Sequence, residues 1–260
     1  MTMSLDASYR RILHRMGYYS YQQGLIYRHL NQEGGWNSHL QNCRSFILKS
    51  IDFYKPSKIT VLGSGWLLDL PLKEMIDITE EIVLVDIVHP PEVIDQVAGL
   101  TKVKLMEEDI TGGLIQEVWM KTGKSSFFSK PGSIENITVP EYQPVNDPGL
   151  VVSLNILTQL ESLPVGFIKK RAKVNDDEIN NFRKKIQDNH LSFLKRYNSV
   201  LITDLSEIIT DKTGNVTEEV SVLTDLPPAK YHEEWTWGFD LKRSDYYTKR
   251  SVFKVIGLII

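Results

Sequence analysis

The sequence has only one cysteine among its 260 residues. Cys43 therefore cannot form a disulfide within the chain, and a single thiolate excludes any metal site built from several cysteines. No group of histidines and carboxylates shows the short spacing of a metal motif, so the sequence predicts no metal site. The cysteine usage suits a reducing compartment, and we expect a cytoplasmic protein.

Long apolar runs and a basic excess are also missing. No run approaches the ~20 residues of a membrane-spanning helix, and the first thirty residues contain several arginines but no apolar core of signal-peptide length. The chain has 30 Lys and Arg against 33 Asp and Glu, a net charge of −3. We therefore expect no nucleic-acid partner and no membrane partner, while the oligomeric state stays open.

One stretch, residues 59–69, combines a β-branched apolar run with two glycines, Gly63 and Gly65, and then apolar residues at helical spacing. This order predicts a strand, a tight turn and the start of a helix. Glycine permits positive φ angles and close approach of the backbone to a ligand. The stretch is thus the first candidate binding element, for a polar or anionic group.

Further apolar runs predict parallel strands that end on polar side chains. Residues 81–86 form a second strand that ends at Asp86, which lies 23 residues after Gly63. The third strand is followed by Asp109 and the fourth ends at Asn155. In right-handed βαβ units such residues meet at one edge of the sheet, where a carboxylate can accept hydrogen bonds from ribose hydroxyls.

The remaining segments predict one α/β core with additions. Residues 1–54 read as a helical N-terminal extension that packs on a core of residues 55–260. A Gly- and Pro-rich insertion occupies residues 113–149, and we expect it to lie away from the ligand edge. After a fifth strand, residues 207–223 predict a β-hairpin with its turn near Gly214, and residues 251–260 predict a final antiparallel strand.

Five βα-type strands, the Gly63-Ser-Gly65 turn, the acids after strands two and three, and the β-rich tail resemble the class I S-adenosylmethionine-dependent methyltransferase family. The resemblance covers residues 55–260. It implies a Rossmann-like, doubly wound and mostly parallel seven-stranded sheet with an antiparallel C-terminal strand. It also implies S-adenosylmethionine as cofactor, and a small molecule is the acceptor we expect.

The resemblance assigns cofactor contacts residue by residue. The turn would face the methionine part, with Trp66 either shaping or partly filling that pocket; Asp86 would hold the ribose, Ile87 would stack on adenine, Asp109 and Ile110 would meet the adenine edge, and Asn155 would lie near the methionine or the transferred methyl group. In place of the family's further glycine, Trp66 and Leu67 follow the turn. The Pro-Pro-aromatic sequence that marks methylation of adenine or glutamine amino groups is absent after Asn155, which disfavours those acceptors.

Two other functions stay open. A nicotinamide-dependent oxidoreductase has a three-glycine phosphate turn, but Leu68 occupies the third glycine position here. A non-catalytic binding or scaffold protein could keep the fold without turnover. No catalytic residue is assigned, because the four possible bases are candidates by chemistry alone: His190, His232, Glu161 and Tyr231.

Overall fold

The computed structural model of the chain describes residues 6–122, 134–243 and 248–260. It begins with three helices, α1 (Ala7–Met16), α2 (Tyr18–Asn31) and α3 (Asn37–Tyr54). The Asp6 side chain caps α1 by accepting from the Tyr9 backbone N–H, and Gly17, at φ 93°, lets the chain turn directly into α2. The predicted helical N-terminal segment is confirmed.

The core is a sheet whose first five strands are parallel. They are β1 (Lys58–Leu62), β2 (Glu81–Asp86), β3 (Val103–Glu107), β4 (Leu150–Leu154) and β5 (Ser199–Thr210). Because they run in one direction, their carboxyl ends lie at one edge, and the order reverses between β1 and β4. In open α/β sheets a crevice forms at such a switch point.

The C-terminal part of the chain is antiparallel. β6 (Val216–Val220) pairs with β5 as the predicted hairpin, and β8 (Arg250–Ile259) lies between β5 and β7 (Tyr231–Asp240). The strand order is β3-β2-β1-β4-β5-β8-β7, with β6 beside β5 off this path. The predicted Rossmann-like fold is thus confirmed, with an eighth strand because the hairpin joins the sheet.

Helices cover both faces of the sheet. They are α4 (Leu72–Ile78), α5 (Pro91–Val97), α6 (Leu114–Thr122), α7 (Gln159–Lys169) and α8 (Asp176–Leu194), with a short 3-10 helix at Ile134–Asn136. A capping box between Asn175 and Glu178 begins α8. Residues 123–133 of the predicted insertion lie outside the described residues.

Two apolar clusters, one on each face of the sheet, form the core. One contains residues of α1, α6, α7 and α8, and the other contains residues of α3, α4 and α5. α3 packs so closely on β8 that a Cβ atom at Gly257 would lie 3.0 Å from the Phe46 ring. α3 therefore packs on the sheet and α1 packs on α6 and α7, while the domain division at residues 54 and 55 stays a prediction. Among the described residues, no helix combines the length and hydrophobicity needed to cross a membrane.

Candidate functional site

A cleft lies at the carboxyl ends of β1 to β4 and beneath α2, with a volume of about 1160 Å³ that includes the solvent at its open mouth. It is at the switch point where this fold class holds ligands. All nine residues assigned to a cofactor from the sequence line it: Gly63, Ser64, Gly65, Trp66, Asp86, Ile87, Asp109, Ile110 and Asn155. Their shared location is established, and their roles toward a cofactor stay predictions.

The glycine turn after β1 is held close to the ends of the neighbouring strands. Gly63 has φ 81° and donates its N–H to the Val85 carbonyl at 2.9 Å. A Cβ atom there would lie 2.9 Å from the Leu154 carbonyl oxygen, so only glycine fits without a shift. The helix start predicted directly after the turn is wrong: residues 66–70 are irregular and α4 begins only at Leu72. Within this irregular segment the buried Leu67 has a φ of 60°, which is a strained conformation for a bulky residue.

Asp86 connects the turn to the end of β2. Its Oδ2 accepts from the Gly65 backbone N–H and its Oδ1 from that of Ile87, each at 2.8 Å. Gln22 of α2 donates to Oδ1 at 3.1 Å. Burial raises the pKa of Asp86 above the usual carboxyl range, and nearby His89 and the backbone N–H groups oppose that rise.

Asp109, after β3, is also buried among donors. Its Oδ1 accepts from the Thr111 backbone N–H at 2.9 Å, and its Oδ2 accepts from the Tyr9 hydroxyl at 2.5 Å. Burial raises the pKa of Asp109, and burial together with this carboxylate raises the pKa of Tyr9. The phenol therefore stays protonated and donates from α1 to Asp109, which lines the cleft.

α2 forms the roof of the cleft. Tyr18, Tyr21, Gln22 and Leu25 line it, at the i, i+3, i+4 and i+7 spacing of one helix face. Trp66 donates its indole N–H to the Gln22 carbonyl at 2.9 Å, which ties the glycine turn to the roof. Trp66 is thus both a wall of the cleft and an anchor for α2.

A second group of polar side chains clusters at the ends of β1 and β4: His39, Cys43, Asp69 and Asn155. Asn155, at φ 51°, donates from Nδ2 to Asp69 Oδ2 at 2.9 Å. His39 stacks on Trp237 with ring centroids 4.0 Å apart. Burial lowers the pKa of His39 to about 3 and raises that of Asp69 to about 6.

Three members of this cluster have the donor atoms of a metal site. One donor atom each of His39, Cys43 and Asp69 lies within 4.8 Å of the others, although their spacing in the sequence suggests no site. Trp235, however, donates its indole N–H to His39 Nδ1 at 3.0 Å. Since indole nitrogen is only a donor, the neutral imidazole carries its proton on Nε2, the nitrogen 3.5 Å from Cys43 Sγ. That protonated nitrogen is not available to a metal, and the cluster is better described as a hydrogen-bonded network.

Several buried polar atoms that border the cleft have no partner. Seven such side-chain atoms occur among the described residues, and four belong to lining residues: Gln22 Oε1, Ser64 Oγ, Asn155 Oδ1 and Trp237 Nε1. Buried polar groups are normally paired, so unpaired groups that collect around a cavity indicate a polar ligand. These four atoms include hydrogen-bond acceptors and one group that can only donate, the indole N–H of Trp237.

The charge of the lining has one sign. Among the described residues that border the cleft are four carboxylates, Asp69, Asp86, Glu108 and Asp109, and no lysine or arginine. Carboxylates in a cavity concentrate a negative potential there. The cleft is therefore suited to a cationic or hydroxyl-rich ligand rather than to a phosphate.

The four possible bases named from the sequence do not line the cleft. His190 Nε2 is 2.8 Å from Ser153 Oγ in the core, and Glu161 pairs with Arg183. Tyr231 and His232 are exposed at the start of β7. The structure instead brings His39, Asp69 and Trp237 to the cleft; only Asp69, which follows the glycine turn, gave a sequence signal.

No protein-family model and no curated protein matches this sequence. Solved structures give distant likenesses. The DhpI complex with S-adenosylhomocysteine is 10% identical, with 92% of this chain and 94% of that chain covered, at a TM-score of 0.34. The N-methyltransferase NodS from Bradyrhizobium japonicum WM9, bound to S-adenosyl-L-homocysteine, is 10% identical over 83% of this chain and 85% of its own, at 0.33. The methyltransferase domain of a bacterial Hen1 is 9% identical over 84% and 99%, at 0.32.

Likenesses this distant assign no function to the chain. The fold description depends on the strand order and directions given above, and the function must be argued from the cleft itself.

Proposed function

We propose that the protein is an S-adenosylmethionine-dependent methyltransferase acting on a small molecule, with the cofactor in the cleft at the ends of β1 to β4. The observation that carries the proposal is the position of Asp86. Its carboxylate is held 2.8 Å from the Gly65 N–H, beside the glycine turn and next to the strand that leads to Asp109. A nucleoside laid across these strand ends would meet a carboxylate for its ribose and a second one beyond it.

The charge of the cleft supports this cofactor over a nicotinamide dinucleotide. S-adenosylmethionine carries a sulfonium and an ammonium against one carboxylate, whereas a dinucleotide carries a pyrophosphate. Four carboxylates and no lysine or arginine line the described cleft, which favours the cation. The dinucleotide fold also places its pyrophosphate on a helix N-terminus directly after the glycine turn, and here residues 66–70 are not helical.

The unpaired atoms fit the same group. Ser64 Oγ, 1% exposed and without a partner, lies in the turn that would face the methionine end. Gln22 would contact the ribose from the roof, because it already reaches Asp86 Oδ1. When bound, S-adenosylmethionine supplies an electrophilic methyl group on its sulfonium.

The protein's own contribution would be positioning and exclusion of water. The Tyr18 and Leu25 side chains of the roof, with Trp66, would cover the ligand, and Asn155 would mark the methyl end of the cleft. Much of the acceleration of a methyl transfer can come from such alignment in a dry site. A cleft covered by a helix is suited to a small acceptor.

Isothermal titration calorimetry of the full chain with S-adenosylmethionine, S-adenosylhomocysteine and NADH tests the proposal. We expect both adenosyl ligands to bind with dissociation constants of about 1 μM to 1 mM, the range of metabolite affinities, and NADH not to bind. NADH binding without adenosyl binding would replace the proposal with an oxidoreductase. Binding of the adenosyl ligands without methyl transfer to any metabolite pool would favour a non-catalytic binding or scaffold protein instead.

A further inference from the structure

We propose that the methyl acceptor is an amine that binds beside His39, Cys43, Asp69 and Asn155, which we call the acceptor-end cluster, and that Asp69 receives its proton. This inference rests on the proposed function and specifies its substrate class. It depends on the polar atoms that the cluster presents to the cleft and on the side chains that border those atoms.

The cluster presents two hydrogen-bond acceptors at one point. Asn155 Nδ2 donates to Asp69 Oδ2 at 2.9 Å, so the two side chains lie side by side. Asn155 Oδ1 is buried and unpaired, and the carboxylate has lone pairs beyond the one that Asn155 uses. A hydroxyl offers a single hydrogen and cannot satisfy both acceptors, whereas an ammonium or amine offers two or three.

The contacts of Asn155 fix the direction of its amide. The donor Nδ2 faces the Asp69 carboxylate, which leaves Oδ1 as the group without a partner. His39 does not supply that partner, because its Nδ1 accepts from Trp235 and its Nε2 lies 3.3 Å from the amide nitrogen Nδ2 of Asn155. A donor from a ligand is therefore the group that this site lacks.

The side chains around the acceptor-end cluster are apolar and aromatic, and no cationic side chain of the lining balances the charge of Asp69. Trp36, Leu40 and Trp237 border the same end of the cleft, with the Trp36 and Trp237 ring centroids 4.8 Å apart. No lysine or arginine lies among the described lining residues to neutralise Asp69, and Arg44, which binds the Leu68 carbonyl, acts from outside the lining. A buried carboxylate without a cationic partner in the cavity favours a cationic ligand over a neutral or anionic one. Trp237 Nε1–H, also buried and unpaired, would donate to an oxygen or nitrogen atom elsewhere on the acceptor.

The chemistry balances with these residues. The acceptor binds as R–NH3⁺ and passes one proton to the Asp69 carboxylate, which leaves R–NH2 with a free electron pair. That pair forms the new N–C bond as the S–C bond breaks and its electrons stay on sulfur, giving R–NH2⁺–CH3 and a neutral thioether. A nearby sulfonium lowers the pKa of the ammonium, and burial raises the pKa of Asp69 to about 6, so the two groups approach each other in acidity.

Calorimetry of the full chain saturated with S-adenosylhomocysteine tests the acceptor class with three probes of similar size: 2-phenylethylamine, 2-phenylethanol and phenylacetate. We expect the amine to bind at least tenfold more tightly than the other two. From pH 7 to pH 5 its affinity should fall about tenfold as Asp69 takes up a proton, while that of the alcohol stays unchanged. An amine that binds no better than the alcohol, or not at all, would overturn the inference.

Variants then assign the preference to Asp69. In D69N the amine and the alcohol should bind within threefold of each other, and S-adenosylhomocysteine should still bind. D77N, which neutralises an exposed carboxylate on α4, should keep the full preference. If D69N does not fold, the preference of the wild type for the amine over the alcohol still decides the acceptor class. If the wild type did not bind S-adenosylhomocysteine, the proposed function itself would be rejected. Failure of the proposed function is thereby distinguished from failure of the amine inference alone.

Discussion

The two ends of the cleft are built in different ways. At the end proposed to hold the nucleoside, Asp86 ends β2 and Asp109 follows β3, and the fold brings them together because parallel strands end at one edge. At the acceptor end, His39 comes from α3, Asp69 from an irregular turn, and Trp237 from β7. The first end follows a rule of the fold. The second end, apart from Asn155 after β4, depends on how an added helix and an antiparallel tail pack against it.

The largest expected effect is at the nucleoside end. Asp86→Ala removes the carboxylate that would accept from the ribose and leaves the backbone N–H groups of Gly65 and Ile87 without their acceptor. Each charge-assisted hydrogen bond contributes about 1.5–3 kcal/mol. We expect the affinity for S-adenosylhomocysteine to fall at least 100-fold in calorimetry. Asp69→Asn, at the other end, is the matched comparison and should change that affinity less than threefold. Equal losses in both variants would show that the two ends do not act separately.

The glycine turn gives the next largest effect. Gly63→Ala combines a left-handed φ of 81° with a Cβ atom 2.9 Å from the Leu154 carbonyl oxygen, and we expect it to lower the free energy of unfolding by about 3 kcal/mol. Gly99→Ala has a similar φ of 84° but no atom within 4 Å. It should cost about 1 kcal/mol, the strain alone. Urea denaturation measures both, and the same loss in the two variants would contradict the close approach at Gly63.

The difference between the ends also explains what the sequence could predict. The order of apolar runs gave the strands, the hairpin and the positions of Asp86, Asp109 and Asn155, since these depend on local pattern and one topological rule. The sequence did not indicate that residues 66–70 are irregular, because their apolar spacing suits a helix equally well. Nor did it indicate that Trp235 orients the His39 ring, since those residues lie far apart in the chain and meet only through the packing of α3 on β7.

The dependence of the unfolding free energy on pH tests Asp69 at the acceptor end of the cleft. The folded pKa of Asp69, about 6, lies above its ordinary value of 3.8, so the folded state binds the proton more tightly. Its contribution to stability is therefore full below about pH 4 and is lost as the pH rises through about 6. Compared with Asp69→Asn, the wild type should lose about 2 kcal/mol of unfolding free energy between pH 4 and pH 7, allowing for the part of the side chain that faces the cleft. A difference that stays constant with pH would mean that Asp69 is better solvated than its position implies.

The smallest effect tests how the antiparallel tail supports the acceptor end. Trp235→Phe keeps an aromatic ring but removes the N–H that His39 Nδ1 accepts at 3.0 Å. The unpaired ring nitrogen should lower the free energy of unfolding by about 1 kcal/mol, and the imidazole should lose its fixed tautomer, which nitrogen-15 NMR of the ring reports. The affinity for S-adenosylhomocysteine should not change, because the indole lies outside the cleft lining. If that affinity fell as well, the network from Trp235 through His39 to Asn155 would extend to the cofactor, and the two ends would have to be treated as one site.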